Sequence, residues 1–168
     1  MFKNLDISSF NQNPFNLIGD EWMLITSKDK QNGKVNSMTA SWGGLGFMWG
    51  KPVCFIVVRP QRYTLEFIDS SNEFSLCFFD KKYKKTLSYF GTVSGRDENK
   101  INNSDLTLFE NSQIPYFNES KLVLLCSNIY RQKFEENCFI NKEIIDKWYP
   151  NKDYHYLYIA SVNQILFK

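Results

Sequence analysis

The apolar run VCFIVV, residues 53–58, constrains the fold more than any other segment of the chain. Pro52 and Pro60 flank it, and proline cannot donate a backbone hydrogen bond inside a strand or a helix. Six apolar residues are too few to cross a bilayer, but they match the length of a buried β-strand. We therefore predict a strand over residues 51–60 that is covered on both faces.

Further strand-like segments occur along the chain, and short helical patterns separate some of them. Asn32-Gly33 lies between the first two and supplies the positive φ angles of a hairpin turn. The other predicted strands cover 21–29, 34–42, 73–80, 121–132 and 154–167, and the predicted helices cover 62–71, 141–149 and a segment that begins at 81 and breaks at Gly91 and Gly95. Five or six mainly antiparallel strands with short helices favour a closed or split β-barrel over a doubly wound sheet.

Composition limits the class of protein. The 168 residues are 43% hydrophobic and 17% aromatic, which predicts one globular domain over residues 1–168. The net charge of +2 argues against an obligate nucleic-acid protein, since such domains carry a concentrated basic excess. The first segment, MFKNLDISSFNQNPF, has no apolar core of signal-peptide length, so we expect a cytoplasmic protein with no membrane partner. The four cysteines form no C-x-x-C pair, and we expect buried free thiols.

Several common catalytic motifs are missing from the sequence. The glycine run GGLGFMWG places Trp49 where a dinucleotide-binding fingerprint has its third glycine. There is no P-loop, no H-E-x-x-H motif and no zinc-ligand spacing, and His155 is the only histidine. No serine has the surroundings of a nucleophile elbow. We therefore predict no metal site and no hydrolase triad.

Three polar clusters stand beside predicted strands: NSMTAS at 36–41, RPQRYT at 59–64 and SGRDENK at 94–100. Guanidinium and ammonium groups suit phosphate oxygens, and N–H groups at a helix start near Thr64 add donors, so Arg59, Arg62, Arg96 and Lys100 are candidates to converge on a phosphate. Each arginine taken alone is more often a surface residue.

Five segments together resemble one known family. They are NSMTASWGGLG, GKPVCFIVVRPQRYT, FSLCFF, LSYFGTVSGRDENK and DKWYPNKDYHYLYIASV. In content and order they are similar to the flavin reductase-like family, particularly its flavoredoxin-type branch, over about residues 15–165. The resemblance implies a mainly antiparallel FMN-binding split β-barrel that forms homodimers, with the flavin near the subunit interface.

The resemblance also implies which residues bind FMN. The family's N-x-M-T-x-S-W stretch, which would meet the flavin ring and ribityl chain, falls on Asn36, Ser37, Met38, Thr39, Ala40, Ser41 and Trp42. Its phosphate-binding R-P-x-R-Y-T falls on Arg59, Arg62, Tyr63 and Thr64, and its S-G-R-D-x-x-K falls on Ser94, Gly95, Arg96 and Lys100. Lys100 would meet the phosphate or the ring, and Asn99 stands where the family commonly has an acidic residue. His155 matches a late D-Y-H element of the family. For this histidine, a role in packing or hydrogen bonding is at least as well supported as a redox role.

The resemblance also suggests how individual residues contact the flavin. The Asn36 amide is expected to hydrogen-bond its pyrimidine edge, while Met38 and Trp42 offer it apolar surface. Glycines 43, 44 and 46 would let the backbone turn sharply or approach a planar ligand.

The resemblance to this family implies an FMN-dependent oxidoreductase with no protein catalytic residue, reduced by NADH, NADPH or a redox protein. A non-enzymatic FMN-binding electron-transfer protein is the alternative. A barrel that binds single-stranded nucleic acid through aromatic and lysine side chains is a third hypothesis.

Overall fold

Eight strands form one antiparallel sheet in residues 1–109 and 112–168, which are the residues that the computed structural model describes. The strands are β1 (Lys3–Leu5), β2 (Met23–Lys28), β3 (Val35–Ala40), β4 (Gly43–Met48), β5 (Lys51–Val58), β6 (Glu73–Phe78), β7 (Leu122–Lys133) and β8 (Tyr156–Phe167). The α-helices are α1 (Thr64–Ser71), α2 (Lys84–Thr92) and α3 (Glu143–Trp148). A π-helical segment, Phe15–Glu21, precedes β2, and short 3-10 turns cover Ile7–Ser9, Lys81–Tyr83 and Glu136–Cys138.

The strand order is β3-β2-β6-β7-β8-β5-β4, and β1 pairs with β8. The sheet therefore has two strands more than the upper limit of the prediction, β1 and β4. All six predicted strands form, and the mainly antiparallel class with short helices is confirmed. Among the described helices, none is long and apolar enough to span a membrane.

Strand β4 corrects the interpretation of the glycine run. Its glycines form no sharp turn, because residues 43–48 pair in register with β5, from Gly43 opposite Ile56 to Met48 opposite Lys51. Gly43 has φ +151°, and a Cβ there would lie 2.3 Å from the Phe55 carbonyl oxygen. The close backbone approach that needs glycine is therefore made to the neighbouring strand.

Alternation along the strands sends side chains into two apolar clusters. In β2, Met23 and Ile25 join the cluster on one face of the sheet, and Leu24 joins the cluster on the other face with Phe90 and Phe117. The second cluster is covered by α2 and by the chain between α2 and β7, so β2 and β6 are buried on both faces.

Strand β5 is covered less completely than predicted. Cys54, Ile56 and Val58 are buried in the first cluster, whereas Phe55 and Val57 on the opposite face are only half-buried. The continuous apolar run in β5 therefore has one face in the core and one face that the described residues cover only in part.

Two local predictions are refined. The β2–β3 hairpin forms, with Lys28 opposite Val35, and Gly33 alone of the predicted Asn-Gly pair has a positive φ, at 72°. Helix α2 does not break at Gly91, because it continues to Thr92. The chain leaves the helix before Gly95, and α3 ends before Pro150 as predicted.

Candidate functional site

Most of the predicted site residues line two cavities where the ends of β3 and β5 meet α1, α2 and the start of β8. The first, called here the aromatic cavity, has a volume of about 310 Å³. It is lined by the predicted residues Met38, Thr39, Ala40, Ser41, Trp42, Arg59, Arg62 and His155, together with Val57, Gly91 and Trp148. Segments far apart in sequence therefore contribute to one concave surface.

The second, called here the polar cavity, has a volume of about 410 Å³. Its lining includes the predicted residues Asn36, Tyr63, Gly95, Arg96 and Lys100. Consecutive residues connect the two cavities, because Arg62 lines the first and Tyr63 the second.

Aromatic rings form one wall of the aromatic cavity. The rings of Trp42 and Trp148 meet edge to face with centroids 4.9 Å apart, and the Trp42 and His155 rings are 5.2 Å apart. Such pairs favour offset or T-shaped arrangements, which leave ring faces and edges for a planar ligand.

The C-terminal turn of α2 holds two cations. Arg62 Nη1 donates to the Gly91 carbonyl oxygen at 2.8 Å, and Lys100 Nζ donates to the Phe90 carbonyl oxygen at 3.0 Å. Helix C-terminal carbonyls carry partial negative charge, which favours nearby cations. Within residues 1–109 and 112–168, neither cation forms a salt bridge with a carboxylate.

Burial and mutual repulsion affect how these cations titrate. Lys100 is only 4% exposed, and its burial together with the charge of Arg62 lowers its pKa to about 8, against a smaller opposing effect of Glu98. Burial also lowers the pKa of Arg62. The site thus concentrates positive charge where water screens it weakly.

The other two arginines already have carboxylate partners. Arg59 pairs with Asp153 through Nη1, and its Nη2 donates to the Trp148 carbonyl oxygen at 2.8 Å. Arg96 pairs with Glu66, and its guanidinium lies 4.6 Å from the centre of the Tyr63 ring. Of the four cations predicted to converge on a phosphate, Arg62 and Lys100 therefore have the least local neutralisation.

Asn36 and Thr64 contact each other beneath the polar cavity. Asn36 Nδ2 donates to Thr64 Oγ1 at 2.9 Å, and both side chains are buried. Gly95 packs so closely here that a Cβ on it would lie 2.2 Å from Asn36 Oδ1. The Asn36 amide, predicted to meet the flavin, thus orients the Thr64 hydroxyl at the start of α1.

Three predicted residues use their hydroxyl groups in contacts within the protein. The buried Ser37 hydroxyl lies 2.9 Å from Thr26 Oγ1 and donates to the Ile25 carbonyl oxygen of the neighbouring strand. Ser94 Oγ accepts from the Arg96 backbone N–H at 3.1 Å and shapes the turn after α2. The Thr39 hydroxyl, although it lines the aromatic cavity, donates to the Leu87 carbonyl oxygen.

His155 sits at the base of the aromatic cavity. Its Nδ1 lies 2.8 Å from the Tyr149 hydroxyl, and the side chain is only 6% exposed. Burial, reinforced by the charge of Arg59 and opposed by Asp153, lowers its pKa to about 4. The imidazole is therefore neutral at physiological pH.

Sequence reasoning missed the part played by residues 148–153. Trp148 lines the cavity, Tyr149 contacts His155, and Asp153 binds Arg59. These residues stand in the quoted segment DKWYPNKDYHYLYIASV, and its aromatic residues beside His155 were the available signal.

The chain matches the family model described as flavin reductase like domain over residues 16–164. Among solved structures, it is similar to an FMN-binding domain of a flavin reductases-like enzyme from Shewanella baltica OS155, with a TM-score of 0.71 and 20% identity over 99% of this chain and 77% of that one. Flavoredoxin of Desulfovibrio vulgaris (Miyazaki F) has a TM-score of 0.67 and 19% identity over 88% of this chain and 69% of that one. The fold is thus that of the FMN-binding split barrels, as the sequence resemblance implied.

A curated relative is the uncharacterized protein YddH of Escherichia coli (strain K12), which is 34% identical over 80 residues. This similarity spans 48% of the chain and covers 42% of the relative's length. The family model, in contrast, extends over most of the chain, from before β2 into β8. On that match, the chain belongs to the flavin reductase-like domain family.

Proposed function

We propose that the protein binds FMN at the two cavities and acts as an FMN-dependent oxidoreductase, passing electrons from NAD(P)H or a protein donor. The observation that carries the proposal is a pair of neighbouring cations, the buried Lys100 and the half-buried Arg62, which have no carboxylate salt-bridge partner among the described residues. Buried charges are costly unless they are compensated, so this pair favours an anionic ligand.

The donor set fits the phosphate of FMN. A guanidinium and an ammonium group bind phosphate oxygens through charge-assisted hydrogen bonds. Thr64 Oγ1 accepts from Asn36, which leaves the hydroxyl proton available for an acceptor at the first turn of α1. Arg62, Lys100 and Thr64 would hold the phosphate, and the paired Arg59 and Arg96 would contribute less.

The aromatic cavity fits a planar, mostly apolar ring. Met38, Ala40 and Val57 supply aliphatic surface, and Trp42 and Trp148 supply aromatic surface. Bound FMN supplies a ring that accepts a hydride or single electrons, so the protein needs only to orient it, set its hydrogen bonds and leave one face accessible.

The first test is the visible spectrum of the purified protein, followed by identification of the released flavin. A yellow protein that releases FMN supports the proposal, and a colourless protein that fails to bind added FMN overturns it. Anaerobic mixing with NADH or NADPH then separates the functions: rapid bleaching indicates a reductase, and bleaching only by a redox protein indicates an electron carrier.

We also propose a homodimer in which the exposed edge of the sheet at β4 contacts a second copy of the chain. Large apolar side chains are exposed along one edge, with Phe47 at 74% and Trp49 at 55%. Ile129 and Tyr130 of β7 are exposed nearby, with the Tyr130 and Trp49 rings 6.5 Å apart. Exposed apolar surface of this kind marks an interaction site.

A further inference from the structure

The Tyr149–His155 contact identifies which nitrogen of the histidine carries its proton. Tyr149 is only 3% exposed, and its hydroxyl has one hydrogen-bond partner among the described residues, Nδ1 of His155 at 2.8 Å. A neutral imidazole has one nitrogen that donates and one that accepts. The hydrogen bond therefore has two versions, with either the phenol or the imidazole as donor.

The two versions of the hydrogen bond differ in whether the buried Tyr149 O–H proton has an acceptor. If Nδ1–H donated to the phenolic oxygen, the Tyr149 O–H proton would be left buried without an acceptor in the described chain. A buried donor that is left unpaired destabilises the folded state. The favoured version has Tyr149 donating to a bare Nδ1, which places the imidazole proton on Nε2.

The remaining atoms of His155 show where that proton is directed. The His155 carbonyl oxygen already accepts from the Phe134 N–H at 2.8 Å. Nε2 has no hydrogen-bond partner among the described residues, and the side chain lines the aromatic cavity beside Trp42 and Trp148. Nε2 is thus the one polar ring atom that His155 has left to offer a ligand.

We propose that Tyr149 is a positioning residue that holds His155 as its neutral Nε2–H tautomer, so that a single hydrogen-bond donor faces the aromatic cavity. The matching ligand group is a carbonyl oxygen on a planar ring. This last step rests on the proposed function, since the flavin ring and the carboxamide of a nicotinamide both carry such oxygens.

Burial and the surrounding charges together keep the ring neutral. Arg59 lies over the Tyr149 ring, 5.2 Å from its centre, and opposes protonation of His155, whereas Asp153 favours it but is paired with Arg59. Burial lowers the pKa of His155 more than Arg59 does. His155 therefore acts as a fixed donor and carries no proton to or from the site near neutral pH.

The single histidine makes the tautomer directly measurable. In protein labelled with [15N]histidine, long-range proton–nitrogen NMR spectra at pH 7 distinguish the protonated ring nitrogen from the bare one. We expect Nε2 to carry the proton in the apoprotein. A predominant Nδ1–H form or a cation would overturn the proposal without the need for any variant.

Matched variants test the role of Tyr149. Tyr149→Phe removes the donor, and the ratio of Nε2–H to Nδ1–H should fall about three- to tenfold. Tyr154→Phe is the control, since it removes a buried hydroxyl of the same aromatic cluster that bonds to Glu136 instead. A ratio that is unchanged in Tyr149→Phe, or that changes equally in both variants, contradicts the assignment.

Titration with ligands tests the donor role. A downfield shift of the Nε2–H proton with slower exchange with water on adding FMN identifies a flavin oxygen as the acceptor, and the same change only when NAD⁺ or NADP⁺ joins the FMN complex identifies the nicotinamide. An unmoved signal in both complexes overturns the donor role. If FMN fails to bind, the proposed function is wrong, while the tautomer in the apoprotein still decides the role of Tyr149.

Discussion

Arg62 and Lys100 donate to the carbonyl oxygens of adjacent residues, Gly91 and Phe90, at 2.8 and 3.0 Å. One side chain comes from the loop before α1 and the other from the loop after α2, yet a single helix end positions both. Their separation is short enough for the charge of Arg62 to lower the pKa of Lys100. An anion between them would relieve that repulsion.

The first prediction concerns ligand preference. Arg62→Ala should reduce the preference for FMN over riboflavin by about 10- to 100-fold, because one strong charge-assisted contact contributes about 1.5–3 kcal/mol. Riboflavin has the same ring without the phosphate, so its affinity should barely change. Fluorescence titration of the apoprotein measures both ligands. Arg96→Ala is the control, since Arg96 is exposed and paired with Glu66, and an equal effect of the two substitutions would remove Arg62 from the phosphate site.

The second prediction concerns pH. Lys100 has a pKa lowered to about 8 in the free protein, and a bound phosphate should raise it. FMN affinity should therefore be nearly constant between about pH 7 and 8, where the phosphate is a dianion, and fall up to about tenfold per pH unit above pH 8, while riboflavin affinity stays flat over the same range. Lys100→Met should abolish the slope. A wild-type FMN affinity that is constant from pH 7 to 9 would place the ammonium group away from the phosphate.

The third prediction compares two tryptophans. Trp42 lines the aromatic cavity, whereas Trp22 precedes β2, packs against the second cluster and is covered by the Lys84 ammonium group. Trp42→Ala should shift the absorbance and fluorescence of bound flavin, and Trp22→Ala should act mainly on the melting temperature. Spectra of both variants below their melting temperatures provide the measurement. Identical flavin spectra would mean that Trp42 does not contact the ring.

The fourth prediction concerns acid stability. The pKa of His155 is lowered to about 4 in the folded protein from an ordinary value of 6.5, so the unfolded chain binds more protons between these values. Its contribution to stability is complete above pH 6.5 and is lost as the pH falls towards 4, by roughly 3 kcal/mol at most. Urea unfolding at pH 7 and 4.5 measures the change. His155→Gln should show a smaller acid loss than wild type, and an equal loss would exclude this contribution.

The fifth prediction concerns assembly. Phe47→Glu places a charge in the exposed apolar edge of β4 and should convert the proposed dimer into a monomer, because burial of an unpaired carboxylate is costly. Sedimentation at micromolar concentration measures the change. Ile140→Glu is the matched control, since Ile140 is fully exposed outside that edge. A wild-type protein that is a stable monomer with FMN bound would contradict the proposal.

Much of the fold was readable from the sequence because strands leave a local pattern. The runs that become β2, β5, β6, β7 and β8 each alternate or continue in apolar residues at strand length. Strand β4 was not readable, because glycines give no periodic signal and their extended conformation depends on pairing with β5. The prediction that β5 is covered on both faces was wrong for a similar reason. The sequence of a strand does not show which other residues pack over it, and Phe55 and Val57 are only half-buried.

The sequence by itself determined the mainly antiparallel class of the protein through apolar periodicity. Its short polar motifs carried the resemblance to the family, and that resemblance named most of the segments that line the two cavities. Only the tertiary structure decided which cations are neutralised. Arg59 and Arg62 lie three residues apart in one motif, yet the first meets Asp153 and the second meets a helix carbonyl. That difference arises from contacts across long sequence separations, and the free energy of a charge depends on its burial and its neighbours in space.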